Sequence, residues 1–189
     1  MRSFWAVWTG VVSELACNRI IERGLALNHQ KAIVGYDDNA RTSDNRSTTI
    51  GWFDRKIDKD IADLITMYAT EANREFFDFD ISHGVFEMQF SIYKTEEKGR
   101  FGWHSDTQYK TNIMTDRKLS FVLQLSEPSD YEGGEFEFKV PDGSTLDRNN
   151  FLPKGSVLVF PSIFEHRVTE ITKGTRYSLV SWIEGPKWR

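Results

Sequence analysis

Residues 101–109 read FGWHSDTQY and place His104 two positions before Asp106. On an extended strand, residues i and i+2 project from the same face, so an imidazole and a carboxylate converge on one point. Alone the pair carries little weight, because a chain of this composition holds about 0.3 His-x-Asp pairs by chance. A third donor, His166, lies far along the chain in FPSIFEHRVTEI, just after the apolar run Val157-Leu158-Val159-Phe160. Two imidazoles and one carboxylate on one face of a metal ion leave three positions open, the facial geometry of non-haem Fe(II) oxygenases. Zinc sites with two His and one carboxylate usually bring a His-x-x-x-His helix, a pattern absent from this sequence.

Arg176 follows His166 by ten residues, in the final strand-like run TRYSLVSWIEG. Alternation puts Arg176, Ser178, Val180 and Trp182 on one face. An isolated arginine is ordinarily a solvated surface cation. Beside a metal-facing His166, however, an inward Arg176 is placed to fork onto a carboxylate, with Ser178 adding a hydroxyl.

These residues need a scaffold, and the pattern supplies one. From residue 85 onward, short strand-like runs follow one another at 86–93, 117–126, 134–140, 156–160, 165–171 and 175–183. Glu132-Gly133-Gly134, Pro141-Asp142-Gly143 and Pro153-Lys154-Gly155 punctuate them. Such spacing predicts a sandwich or jelly roll. The first part differs. Phe4 to Thr9 reads as a short strand, and Ser13 as the N-cap of a helix running to Leu25 with Leu15, Ile20, Ile21 and Leu25 as its apolar stripe. Residues 36–50 are polar and read as a surface loop, and 40–50, with Arg41 and Arg46, as a candidate lid. A second helix is expected from Asp58 to Phe77, carrying Ile61, Leu64, Ile65, Tyr68 and Ala69 at helical spacing. The expected fold class is α+β: a double-stranded β-helix (jelly-roll) core over about 85–185, with N-terminal helices of a layer over about 1–84 packed on one face. Residues 1–189 are read as a single domain.

On these residues the sequence resembles the Fe(II)- and 2-oxoglutarate-dependent dioxygenases of the prolyl 4-hydroxylase-like family. The resemblance covers about residues 87–185, through Tyr93, His104-x-Asp106, Glu132-Gly133-Gly134-Glu135, Pro153-Lys154-Gly155, His166 and Arg176. It implies that His104, Asp106 and His166 hold Fe(II), and that Arg176 binds the distal carboxylate of 2-oxoglutarate. Many prolyl 4-hydroxylases have Lys at that place; Arg is typical of a bacterial and viral branch. The family's inner-face aromatic is matched by Trp182, a candidate substrate-pocket residue. Its long core strand resembles RKLSFVLQLS, but Gln124 stands where relatives often carry a cosubstrate-binding Tyr, so Gln124 or Tyr93 is expected to take that contact. The implied reaction couples decarboxylation of 2-oxoglutarate to succinate, using O2, with hydroxylation of a prolyl residue in a peptide or protein. Ascorbate is carried as a candidate reductant.

Composition narrows the alternatives. The chain has 189 residues, one cysteine, four histidines and a formal net charge of −4. A lone Cys17 excludes an internal disulfide and reads as a small core residue. Mild negative charge without a basic block disfavours nucleic-acid partners, including alkylated nucleic acid as the substrate of a related oxygenase. No apolar run reaches the roughly 18 to 20 residues a spanning helix needs, and the first residues lack a signal-peptide pattern, so a soluble, cytoplasmic protein is expected. The same chemistry on another amino acid or a small molecule stays open, as does a non-catalytic metal-binding jelly roll. Trp103, pointing away from His104, is expected in the core; Gly133-Gly134 reads as a hairpin bulge; His29 and His83 read as surface or loop histidines.

Overall fold

Ser13, Asp58 and Asp147 stand at the N-caps of the α-helices, and β-branched and aromatic runs build the sheets. The computed structural model describes residues 3–32, 45–107 and 114–188, with Phe86 as backbone only. Its strands are β1 (Ala6–Trp8), β2 (Gln30–Lys31), β3 (Arg46–Ser47), β4 (Thr49–Phe53), β5 (Gly84–Lys94) and β6 (Arg100–His104). They continue as β7 (Thr115–Gln124), β8 (Tyr131–Gly133), β9 (Phe136–Lys139), β10 (Val157–Pro161), β11 (Glu165–Val168) and β12 (Ile171–Pro186). The helices are α1 (Glu14–Leu25), α2 (Lys59–Ala72) and the short α3 (Arg148–Phe151).

Among the described residues the strands form two antiparallel sheets. The larger runs β1-β10-β7-β12-β5-β4-β2, with β8 paired to β12; the smaller runs β3-β6-β11-β9. One face of the large sheet carries α1 and α2, closing an apolar core in which Ile61, Ile65, Phe90, Phe121 and Leu179 are all buried. Its opposite face meets the small sheet, where Phe138 and Phe160 pack edge to face at 4.9 Å. This is the jelly-roll core with helices on one face. No helix among the described residues is long and apolar enough to cross a membrane.

Local departures from the sequence pattern have identifiable causes. Ser13 does cap α1, its hydroxyl accepting from the Ala16 amide at 3.3 Å. The buried stripe, however, is Cys17, Ile20 and Gly24, while Leu15 and Leu25 are 62% and 48% exposed. Gly24 decides this rotation: a Cβ there would lie 2.6 Å from the Phe90 ring, so only a glycine lets α1 settle so close. The second helix ends in a π-helical turn at Asn73–Phe77, stopped by Asp78 in the left-handed region. The polar run 36–50 is not wholly loop. Arg46–Ser47 pairs with β6 and Thr49 begins β4, so tertiary pairing overrides local polarity there; residues 36–44, Arg41 included, lie outside the described residues. The run 165–171 breaks after Val168, where the chain leaves the small sheet and Ile171 enters the large one.

Candidate active site

The register of the small sheet sets two imidazoles face to face. His166 on β11 stands opposite His104, the last residue of β6, with ring centroids 4.2 Å apart. Asp106 departs from the expected strand: it lies two residues beyond β6, in a loop fastened by amides of Asp106 and Thr107 that both donate to the Ser162 carbonyl, at 2.9 and 3.1 Å. Its carboxylate still reaches both rings, with Oδ1 3.6 Å from His104 Nε2 and Oδ2 3.5 Å from His166 Nε2. The three donor atoms all lie within 4.8 Å of one another.

Protonation is arranged for ligation. His104 Nδ1 lies 2.8 Å from the Gly102 carbonyl, and His166 Nδ1 3.1 Å from that of Phe164. A carbonyl only accepts, so each Nδ1 carries the hydrogen and each Nε2 presents its lone pair. Burial, seconded by the neighbouring His166, pushes the His104 imidazole down to about 4. For Asp106 burial acts upward, but His166, His104 and Arg117 and the Ser120 hydroxyl together outweigh it and hold the carboxyl at about 2. Near neutral pH His104 is therefore an uncharged donor and Asp106 an anionic one.

A hydroxyl pair fixes the carboxylate. Ser120 Oγ donates to Asp106 Oδ2 at 2.6 Å and lies 2.9 Å from Ser162 Oγ, and both serines are fully buried. Neither is singled out by sequence, since a serine in a strand (Ser120) or in the turn after one (Ser162) carries no spacing signal. Around them the ring of Phe101 stacks on His104 at 3.4 Å and that of Phe136 on His166 at 5.3 Å, lowering the local dielectric.

A cavity opens from this cluster between the sheets, and Arg176 lies at its wall. Arg176 is 2% exposed, its guanidinium carbon 5.5 Å over the Tyr93 ring. Among the described residues no carboxylate pairs with it; its Nε donates to Gln124 Oε1 at 3.0 Å. A buried cation without a counter-ion costs several kcal/mol, which an entering anion offsets. Ser178 adds to that demand, because its buried hydroxyl has no hydrogen-bond partner among the described residues. Both residues, with Tyr93 and Trp182, line the same cavity as the His-Asp-His cluster. The fit to a divalent metal plus a dicarboxylate is good: two bare nitrogens and a carboxylate at one place, and at another a guanidinium and a hydroxyl that meet no acid among the described residues.

Other candidates fall differently. Gln124 is not on this cavity; its amide donates to the Tyr131 hydroxyl at 2.8 Å and the Ser126 carbonyl at 3.2 Å, behind Arg176. Trp182 lies under the Arg117 guanidinium at 3.8 Å, and Arg117 in turn bonds Glu87 at 2.7 Å. Trp103 is not a core residue: it lies beneath Lys139 and Arg167, at 4.4 and 4.8 Å, on the outer face of the small sheet. Arg46 is part of the cavity wall, 4.3 Å over the Phe101 ring. Gly133 and Gly134 both have positive φ, at 78° and 63°, in keeping with a bulge. His29 and His83 are exposed and Cys17 is buried.

Residues 88–184 match the family model described as the 2OG-Fe(II) oxygenase superfamily. The chain belongs to this superfamily. It is 40% identical over 84 residues to a PKHD-type hydroxylase of Picosynechococcus sp., covering 44% of this chain and 36% of the relative. To a PKHD-type hydroxylase of Prochlorococcus marinus it is 37% identical over 106 residues, covering 56% and 45%. The chain thus spans less than half the length of these relatives. Among solved structures, the viral collagen prolyl hydroxylase of Paramecium Bursaria Chlorella virus-1, in its 2OG complex, superposes with a TM-score of 0.67 at 15% identity, over 97% of each chain. A Pseudomonas putida prolyl-4-hydroxylase does so with a TM-score of 0.67 at 20% identity, over 97% of this chain and 92% of that one. At such identities the likeness is one of fold.

Proposed function

We propose that this chain is an Fe(II)- and 2-oxoglutarate-dependent dioxygenase that hydroxylates prolyl residues in a peptide or protein. The observation that carries the reading is a buried guanidinium, Arg176, without an acidic partner among the described residues, on the same cavity as His104, Asp106 and His166. In this reading those three residues hold the iron, and ascorbate is the external reductant. Bound there, Fe(II) would supply the activation of O2 that is coupled to decarboxylation of 2-oxoglutarate to succinate.

The protein's own part is positional. His104 and His166 present bare Nε2 atoms because backbone carbonyls hold their Nδ1 hydrogens. Asp106 contributes the negative charge, and Ser120 keeps it from rotating. Arg176 and Ser178 take the distal carboxylate of the cosubstrate, with Tyr93 alongside. Val122, Val180 and Trp182 add an apolar stretch of wall, beside the polar Gln89 and Arg46, and that stretch suits a ring without charge. Prolyl substrates are favoured because the solved structures of like fold include enzymes named as prolyl hydroxylases.

The test is a panel of proline-containing peptides incubated with the protein, Fe(II), 2-oxoglutarate and ascorbate, read by mass spectrometry. A gain of one oxygen on a prolyl residue is the expected result. Oxygen incorporation only into a different substrate class, with every prolyl peptide unchanged, would overturn the substrate assignment.

A further inference from the structure

Arg176 borders two cavities. One is the metal-side cavity; the other, a small one, is lined by Gln124, Tyr131, Gly134 and Arg148 among others. A long flexible side chain with space on both sides points one way only if something holds it. The Gln124 amide supplies that hold. Its Oε1 accepts from Arg176 Nε at 3.0 Å, while its Nε2 donates to the Tyr131 hydroxyl at 2.8 Å and to the Ser126 carbonyl at 3.2 Å. The polarity is forced, because an arginine Nε only donates and a carbonyl only accepts. Gln124 and Tyr131 are 1% and 6% exposed, so these bonds are largely shielded from bulk solvent.

Two further features fit a tether. The aliphatic stem of Arg176 passes close to Gly134, where a Cβ would lie 3.2 Å from Arg176 Cδ. In addition, the acceptor is a neutral amide. A carboxylate in its place would hold the guanidinium equally well but would neutralise it, removing its demand for an incoming anion.

We propose that Gln124 and Tyr131 are positioning residues that hold Arg176 forward against the metal-side cavity and thereby set the length of the 2-oxo diacid it accepts. With the tether intact the guanidinium meets a five-carbon diacid, 2-oxoglutarate. Released, it can withdraw into the space behind and admit one more methylene, as in 2-oxoadipate. This rests on the dioxygenase reading above, which makes a 2-oxo diacid the ligand of Arg176.

The test is calorimetric titration of the Mn(II)-loaded protein with 2-oxoglutarate and with 2-oxoadipate, which reads binding without turnover. Wild type is expected to prefer 2-oxoglutarate. Gln124→Leu should bind it about tenfold more weakly, the scale of one lost hydrogen bond to a charged group, and should narrow the preference between the two diacids. Tyr131→Phe should shift the ratio in the same direction by less, and the double variant should go no further than Gln124→Leu. Gln124→Glu should weaken both diacids and leave their ratio unchanged. An unaltered ratio in both Gln124→Leu and Tyr131→Phe would overturn the proposal. Should Gln124→Leu fail to fold, the ratio in Tyr131→Phe decides alone. Wild type that binds neither diacid would instead overturn the dioxygenase reading on which this inference stands.

Discussion

Replacing Ser120 by alanine removes one oxygen atom from the interior and tests how the acidic donor is held. The Ser120 hydroxyl donates to Asp106 Oδ2 at 2.6 Å, a short, charge-assisted bond between groups with almost no solvent access. A hydrogen bond to a charged group is worth about 1.5 to 3 kcal/mol. In Ser120→Ala that interaction disappears, and Ser162 loses the hydroxyl 2.9 Å away as well. The carboxylate is then free to turn, and its charge is less well stabilised. Partners of metal-binding side chains typically account for about 10- to 100-fold in metal affinity, which agrees with the hydrogen-bond figure. Competition between the protein and a coloured chelator for Mn(II) or Co(II) measures this directly. Ser120→Ala should weaken metal binding within that range. Ser162→Ala, which leaves the Ser120–Asp106 bond in place, should weaken it by less than tenfold, since a neutral hydrogen bond contributes about 0.5 to 1.5 kcal/mol. Metal affinity unchanged in Ser120→Ala, with or without a fall in melting temperature, would refute the idea that the serine orients the ligand.

Other outcomes follow from the same geometry. Arg176→Ala should raise the 2-oxoglutarate concentration needed for half-maximal turnover roughly 10- to 100-fold, the loss of a charged hydrogen bond, with a smaller effect on kcat; an unchanged requirement would place the cosubstrate elsewhere. The metal-free protein should lose stability on acidification. The His104 imidazole is pushed from 6.5 to about 4 in the fold, so the unfolded chain takes up its proton first, and stability is lost as pH falls through that window by about 3 kcal/mol. Urea midpoints that stay flat from pH 6.5 to 4 would contradict this. Gly133→Ala should destabilise the fold by about 2 kcal/mol or more, because φ is 78° there and a Cβ would lie 2.1 Å from the Glu170 carbonyl oxygen. A urea midpoint equal to that of wild type would show that the turn can relax.

The sequence carried the chemistry of the site better than its mechanics. Alternation put Arg176, Ser178, Val180 and Trp182 on one face of the last strand, and all four line the cavity. That His104 and His166 share one site was read from the sequence, but their face-to-face register was not legible, because the register of strands 62 residues apart in sequence depends on everything folded between them. Gln124 stood out as a departure, yet only the structure shows that it holds Arg176 and Tyr131. Ser120, Ser162 and Arg117 left no mark in sequence, since strands often carry serine and an arginine beside lysine reads as surface. The α1 stripe failed for a related reason: the close seat of Gly24 on Phe90 rotates the helix and turns Leu15 and Leu25 outward. Short-range periodicity reports which face a residue takes, whereas contacts between distant segments decide what it meets there.

The most direct test of the central claim is succinate formation from 2-oxoglutarate by wild type and by His166→Ala, each with and without added Fe(II). Wild type should form succinate only with Fe(II), faster when a hydroxylatable substrate is present, and His166→Ala should form none while keeping its fold by circular dichroism. Equal succinate formation by His166→Ala, or none by wild type with Fe(II), 2-oxoglutarate and O2 all supplied, would contradict it.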